Sequence, residues 1–254
     1  MKGFFRQRGV SLLELLVAGV ILIMVALFVS SIFLQGSMNI VTSWEETTAL
    51  SCMQELLEEV RGVSREYYRF IKVATLTTNP TSHHHINIPT LVQSGVPINY
   101  TVVAHDSSHN RTSNPDGEAV TVIWEQRRGE GIVTCDFTPI TLTNGIYSGV
   151  VTFSSNSSKP CRGVLHITSP SIGTSSEAAG IIVYPQAGEK IIEGELNGTR
   201  TAMFELFDDP EDNNPDDILP GDYMKGTITF TWESRKGRGG NKKSIVTIIA
   251  PFPE

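Results

Sequence analysis

Three consecutive histidines, His83-His84-His85, and the pair His105 and His109 around Asp106 have side chains suited to hold a transition-metal ion. They sit in polar, turn-rich sequence, which predicts loops with no fixed scaffold, so solvated imidazoles are the ordinary expectation for all five. A second group of candidate ligands is the acidic run at 208–217. Its carboxylates Asp208, Asp209, Glu211, Asp212, Asp216 and Asp217 offer the hard oxygens that calcium prefers. The run lacks the Gly at the sixth position and the Glu at the twelfth that an EF-hand loop needs, and a solvated acidic loop is the alternative. No other cofactor is expected. Serine, histidine and aspartate are plentiful, but no GxSxG, HExxH or Gly-rich phosphate loop is present, and the expectation is that the chain is not an enzyme. The three cysteines, Cys52, Cys135 and Cys161, lack the CxxC spacing of a zinc site. Cys135 and Cys161 could pair in an oxidising compartment, a bridge that would contribute roughly 3 kcal/mol through loop closure. Three buried or free thiols are the alternative.

The elements that must carry these side chains are strands. Beyond Tyr68 the sequence alternates Val, Ile and Thr with polar residues, punctuated by Gly, Pro, Asn and Ser. Strands are predicted at 86–92, 98–104, 119–125, 131–138, 150–154, 163–168, 180–184, 200–207, 227–233 and 244–250. No helical pattern of useful length recurs after residue 70. The segment Thr121-Val-Ile-Trp124-Glu-Gln-Arg127-Arg128-Gly129-Glu-Gly131 parallels Thr229-Phe-Thr-Trp232-Glu-Ser-Arg235-Lys236-Gly237-Arg-Gly239. Each reads as a β-hairpin with a basic, glycine-containing turn, with Val120, Val122 and Trp124 on one face and Ile228, Phe230 and Trp232 on another. The copies suggest two β subdomains divided near 170–200, or one sheet that uses the same hairpin twice.

The first 44 residues differ in kind. They carry three basic side chains (Lys2, Arg6, Arg8) and one acid, Glu14, while every other charge falls after Trp44. Residues 15–34 are almost continuously apolar, enough at about 1.5 Å per residue to cross the roughly 30 Å hydrocarbon core of a bilayer. Basic residues before this run and Glu45 and Glu46 after it place the N-terminus in the cytoplasm and the remainder outside. A cleaved secretory signal would need a shorter apolar region and a small-x-small site. At the start of this run Glu14 is the anomaly, with a solvated place at the headgroup boundary as the ordinary alternative. A carboxylate deep in lipid costs about 2.5–3.5 kcal/mol on insertion scales.

The stretch Arg8-Gly9-Val10-Ser11-Leu12-Leu13-Glu14-Leu15-Leu16-Val17 resembles the N-terminal motif of type IV prepilins and type II secretion pseudopilins. The resemblance implies a leader ending at Gly9, cut on the cytoplasmic side by a prepilin peptidase, and a new N-terminus at Val10 that is then N-methylated. The family more often has Phe or Met at that position. Glu14, fifth in the mature chain, would pair with the N-terminal ammonium of a neighbouring subunit during assembly. The implied partners are other pilins or pseudopilins, the peptidase, an inner-membrane assembly platform and, before assembly, the membrane itself. The Trp-Arg-Gly hairpins resemble those of minor pilins of the pilus-modification group, a second and more limited resemblance.

Between residues 41 and 62 the sequence turns amphipathic, with Val41, Leu50, Met53, Leu56, Leu57 and Val60 at helical spacing among five glutamates. Gly62 is the expected C-cap, although the helix could run on to Tyr67 and Tyr68. The expected fold class is α+β: a helix of about 50 residues from Ser11 and an antiparallel β-rich head. The expected divisions are a leader (1–9), a transmembrane helix (10–34), an amphipathic extension (35–68) and an extracytoplasmic head (69–254). Net charge is −7, and without the leader it is −10, since the leader holds three positive charges and no negative ones. So acidic a head has no basic footprint for nucleic acid. A minor pilin or pseudopilin is the expected function, and a singly anchored adhesin or sensor with a β-rich binding head is the alternative.

Overall fold

A computed structural model describes residues 12–68, 75–173, 176–207, 223–234 and 240–250. It begins with one uninterrupted helix, α1 (Leu12–Tyr67), and continues as strands. These are β1 (Leu76–Pro80), β2 (His83–Asn87), β3 (Leu91–Gln93), β4 (Pro97–His105) and β5 (Arg111–Asn114). Next come β6 (Ala119–Arg128), β7 (Val133–Cys135), β8 (Ile140–Thr141), β9 (Ile146–Ser155) and β10 (Cys161–Thr168). The last five are β11 (Ser176–Tyr184), β12 (Glu189–Glu193), β13 (Leu196–Phe207), β14 (Tyr223–Glu233) and β15 (Gly240–Ile249). The chain is α+β, and its long apolar helix precedes a β-rich region of three sheets.

Two compact units divide the chain, Met1–Thr47 and Thr48–Glu254. In the first, the described residues are helix alone, and every side chain from Leu12 through Ser37 is exposed. Leu22, Phe28 and Phe33 are each about two-thirds or more bare. α1 is the one helix, among the described residues, long and apolar enough to cross a membrane.

In the second unit, the first sheet runs β1-β5-β4-β9-β7, with β2 pairing β4; the second runs β3-β11-β10-β6-β8; the third is the meander β12-β13-β14-β15. Pairing is antiparallel except for β1 with β5 and β3 with β11. Two apolar cores result. Val102 and Phe153 of the first sheet meet Val122, Leu165, Ile181 and Val183 of the second. On the other side, Met53, Leu56 and Val60 of α1 pack with Phe204, Ile228 and Phe230 of the third sheet, and with Ile182 and Tyr184. β11 serves both cores: Ile181 and Val183 face one, Ile182 and Tyr184 the other. That double burial explains its unbroken apolar run, since a strand covered on both faces has no polar side to show.

α1 passes Gly62, the expected cap, and ends at Tyr67, where the Tyr68 N–H donates to the Ser64 carbonyl at 2.8 Å. Its last turns press on β11 at Gly180. A Cβ there would lie 2.7 Å from Val63 Cγ1 and collide with the Tyr67 ring. Cross-strand aromatics fill the space over other glycines: the Phe230 ring lies over Gly198, and Phe204 over its partner Gly226.

The second of the two similar segments forms a hairpin, β14 with β15. The first does not. Gly129 and Gly131 adopt φ of 108° and 94°, open to glycine alone at low cost, and turn the chain out of the second sheet. β7 then pairs with β9 in the first sheet, and β6 takes β10 and β8 as neighbours. The expected inward faces nevertheless hold: Val120 and Val122 are buried, as are Ile228, Phe230 and Trp232.

Gly180→Val should destabilise the fold by about 2 kcal/mol through overpacking. Its chemical-denaturation midpoint, compared with that of an exposed control with room for a Cβ such as Gly240→Ala, checks this.

Candidate functional site

Four of the five candidate histidines, His83, His84, His85 and His105, lie on strands, and His109 lies in a turn as expected. β2 carries His83, His84 and His85, and it pairs with β4 in the register His83↔His105, His84↔Ala104, His85↔Val103. Successive strand residues point to opposite faces, so His83, His85 and His105 share one face and His84 takes the other. His109 returns to the same place from the β4–β5 turn, where it holds φ of 59°. Ring centroids lie 4.8 Å apart for His83–His85, 5.4 Å for His83–His105, 4.8 Å for His83–His109 and 5.0 Å for His85–His105. One ligand atom from each of the four lies within 4.8 Å of the others. The expectation of loops failed for His83, His84, His85 and His105 because polar side chains on a strand look like turn sequence.

Asp106 builds the turn that returns His109. Its Oδ1 accepts the Ser108 and Asn110 backbone N–H groups at 2.9 and 3.0 Å, and its Oδ2 accepts Thr77 Oγ1 at 3.0 Å and Asn79 Nδ2 at 2.8 Å. The His109 N–H donates to the Asp106 carbonyl at 3.1 Å. Hydrogen bonds from Asn79, Asn110, Ser108 and Thr77 hold the Asp106 carboxyl far below the usual carboxylate range. With its lone pairs so engaged, Asp106 positions the cluster and is not a ligand.

On the core side of β2, His84 Nε2 lies 3.2 Å from Glu118 Oε2, with both side chains almost fully buried. Burial lowers the His84 pKa against the pull of Glu118, and Glu118 stays ionised through hydrogen bonds from Ser169 and Ser171 and its contact with His84. A neutral His84 donating to a carboxylate fits both directions. Burial and the neighbouring imidazoles lower His83, and push His85 down to about 3.

A further polar site, absent from the sequence-based expectations, joins α1 to the β region. Arg200 is buried on β13, where its Nη2 donates to Glu189 Oε2 at 2.6 Å, its Nε to Tyr184 Oη at 3.2 Å, and its Nη1 to the Cys52 carbonyl. One signal was available: Arg200 occupies an inward position between Gly198 and Ala202. Arg162 pairs with Glu59 of α1. Cys52 donates to Glu193 Oε2 at 3.2 Å, and burial raises its thiol pKa from 9.0 to about 11.

Gly9 and Val10 lie outside the described residues, as does the acidic run 208–217; Glu14 lies in the first turn of α1. Cys135 on β7 and Cys161 on β10 stand as thiols. Burial raises the Cys135 pKa, and the Cys161 thiol lies 3.4 Å from the Glu130 carbonyl oxygen.

Comparison with protein-family models, with curated proteins and with solved structures gives no match.

Two outcomes are expected. Asp106→Ala should lower the thermal midpoint and speed amide exchange at Ser108 and Asn110, read by hydrogen-exchange mass spectrometry. Because Cys52 holds its proton more tightly when folded, its contribution to stability is complete below pH 9 and lost as pH rises towards 11. Its alkylation at pH 9 should therefore be much slower in native than in unfolded protein.

Proposed function

We propose that the chain is a subunit of a pilus-like or pseudopilus filament, anchored in the inner membrane before assembly. The observation that carries this reading is the single uninterrupted helix Leu12–Tyr67. Its early residues are apolar and bare, and residues from Ala49 to Val60 contribute to a protein core. A simple anchor needs only the first property. A filament subunit uses both, because its helix is first a membrane span and then the rod by which the head is carried.

Under this reading the basic N-terminus stays in the cytoplasm and the head lies outside. Cleavage after Gly9 frees the Val10 amine. Glu14 sits one helical turn further on, in the first turn of α1. A carboxylate is disfavoured in lipid, and an ammonium from a neighbouring subunit offsets that cost when the helices leave the bilayer together. The lone acid thus favours the assembled state over the dispersed one.

Full-length chain expressed with an active prepilin peptidase should begin at Val10 and carry one additional methyl group by intact mass. Glu14→Val should still be cleaved and inserted, yet be depleted at least about tenfold from sheared filaments, as expected from the loss of a 1.4 kcal/mol or larger preference. A product that keeps Met1 beside an active peptidase overturns the proposal and favours an anchored adhesin or sensor.

A further inference from the structure

The four-histidine cluster has the geometry of a closed metal site. His83 and His85 stand two residues apart on one face of β2, His105 lies directly opposite His83 on β4, and the Asp106 turn delivers His109 from the third direction. Their ligand atoms all fall within 4.8 Å of one another. Four nitrogens bound tetrahedrally at 2.0–2.1 Å would be about 3.3 Å apart. A contraction of about 1.5 Å at the widest pair is within the reach of χ1 and χ2 adjustments on a fixed backbone.

We propose that His83, His85, His105 and His109 bind one divalent late transition ion of the zinc class, as a structural site that clamps β2 and the β4–β5 turn. Imidazole donors suit zinc, copper and nickel. Calcium and magnesium require oxygen cages, and the nearby carboxylate of Asp106 is already saturated by four donors. Four protein ligands leave no open coordination position, which marks a structural rather than a catalytic centre.

Two features support binding over a purely packed aromatic group. His83 Nε2 is buried with no hydrogen-bond partner, a cost that a coordinate bond removes. The His83 ring also stands within 5.4 Å, centroid to centroid, of each of the other three, so the rings converge from β2, β4 and the turn. The site also answers a local need. Among the described residues β2 pairs with β4 alone, so its outer edge has no sheet neighbour among them, and a metal bridging it to β4 and the turn would pin it in place.

The test uses untagged full-length protein in detergent micelles, dialysed to equilibrium against graded zinc chloride. The expected result is one zinc per chain by atomic emission, with a thermal midpoint that rises with the logarithm of free zinc. A cobalt-substituted sample should give the intense visible absorption of tetrahedral nitrogen coordination. The His83→Gln/His85→Gln double variant should bind at least about a hundredfold more weakly. His84→Gln, which faces the core and keeps an N–H for Glu118, should bind as the parent does. Circular dichroism of the zinc-free proteins separates loss of ligands from loss of fold. If the double variant fails to fold, the parent's stoichiometry, midpoint shift and cobalt spectrum decide alone. Substoichiometric zinc, an octahedral cobalt spectrum, or equal weakening by His84→Gln (the mark of a flexible histidine run chelating as a peptide) would each overturn the proposal.

Discussion

An apolar stripe on a helix must be covered, and in the unit Thr48–Glu254 the stripe Ala49, Met53, Leu56 and Val60 dictates what surrounds it. Burying such side chains contributes about 2 kcal/mol each, before the entropy of ordering them. The third sheet supplies Phe204, Ile228 and Phe230 for that purpose, while β11 offers Ile182 and Tyr184 from its back. Because β11 also turns Ile181 and Val183 towards the first sheet, the helix contact and the sandwich core share one strand. Gly180 lets the helix come close, and Arg200 ties the Cys52 carbonyl to Glu189 and Tyr184.

Polar interactions refine this arrangement rather than create it. Arg200 is almost fully buried, and a buried cation is tolerated only because its guanidinium finds a carboxylate, a phenol and a carbonyl together. Glu118 follows the same rule with His84, Ser169 and Ser171. Asp106 does so with four donors, and thereby fixes a turn.

What could be read beforehand followed from periodicity. Each of the ten strands expected from alternation overlaps an observed strand, and the helix was legible from its apolar run and the spacing of Met53, Leu56 and Val60. β1 (LTTNP) and β5 (RTSN) escaped because their residues favour turns, and it is their pairing with each other, and of β5 with β4, that makes them strands. The histidines stood out as candidate ligands, but the strand scaffold that brings them together escaped for a related reason. His83 and His85 at a two-residue spacing hint at a shared face, but the opposition of His83 and His105 is a fact of register, which no local pattern encodes. The two similar Trp-containing segments show the converse error: like sequences share the inward face of a strand yet diverge at the following glycines, because the partner strand is chosen by the rest of the fold.

The third sheet constrains how the chain can change in length. In β14 the inward residues Ile228, Phe230 and Trp232 alternate with Thr227, Thr229 and Thr231. Deleting one residue in the middle of that strand would turn threonines inward along everything downstream of the cut. The Phe230 ring would lose its place over Gly198 at the same time. Insertions and deletions in descendants of this gene should therefore collect between the strands. Within β13, β14 and β15, divergence should proceed by substitution alone, with the reading of the pleat preserved.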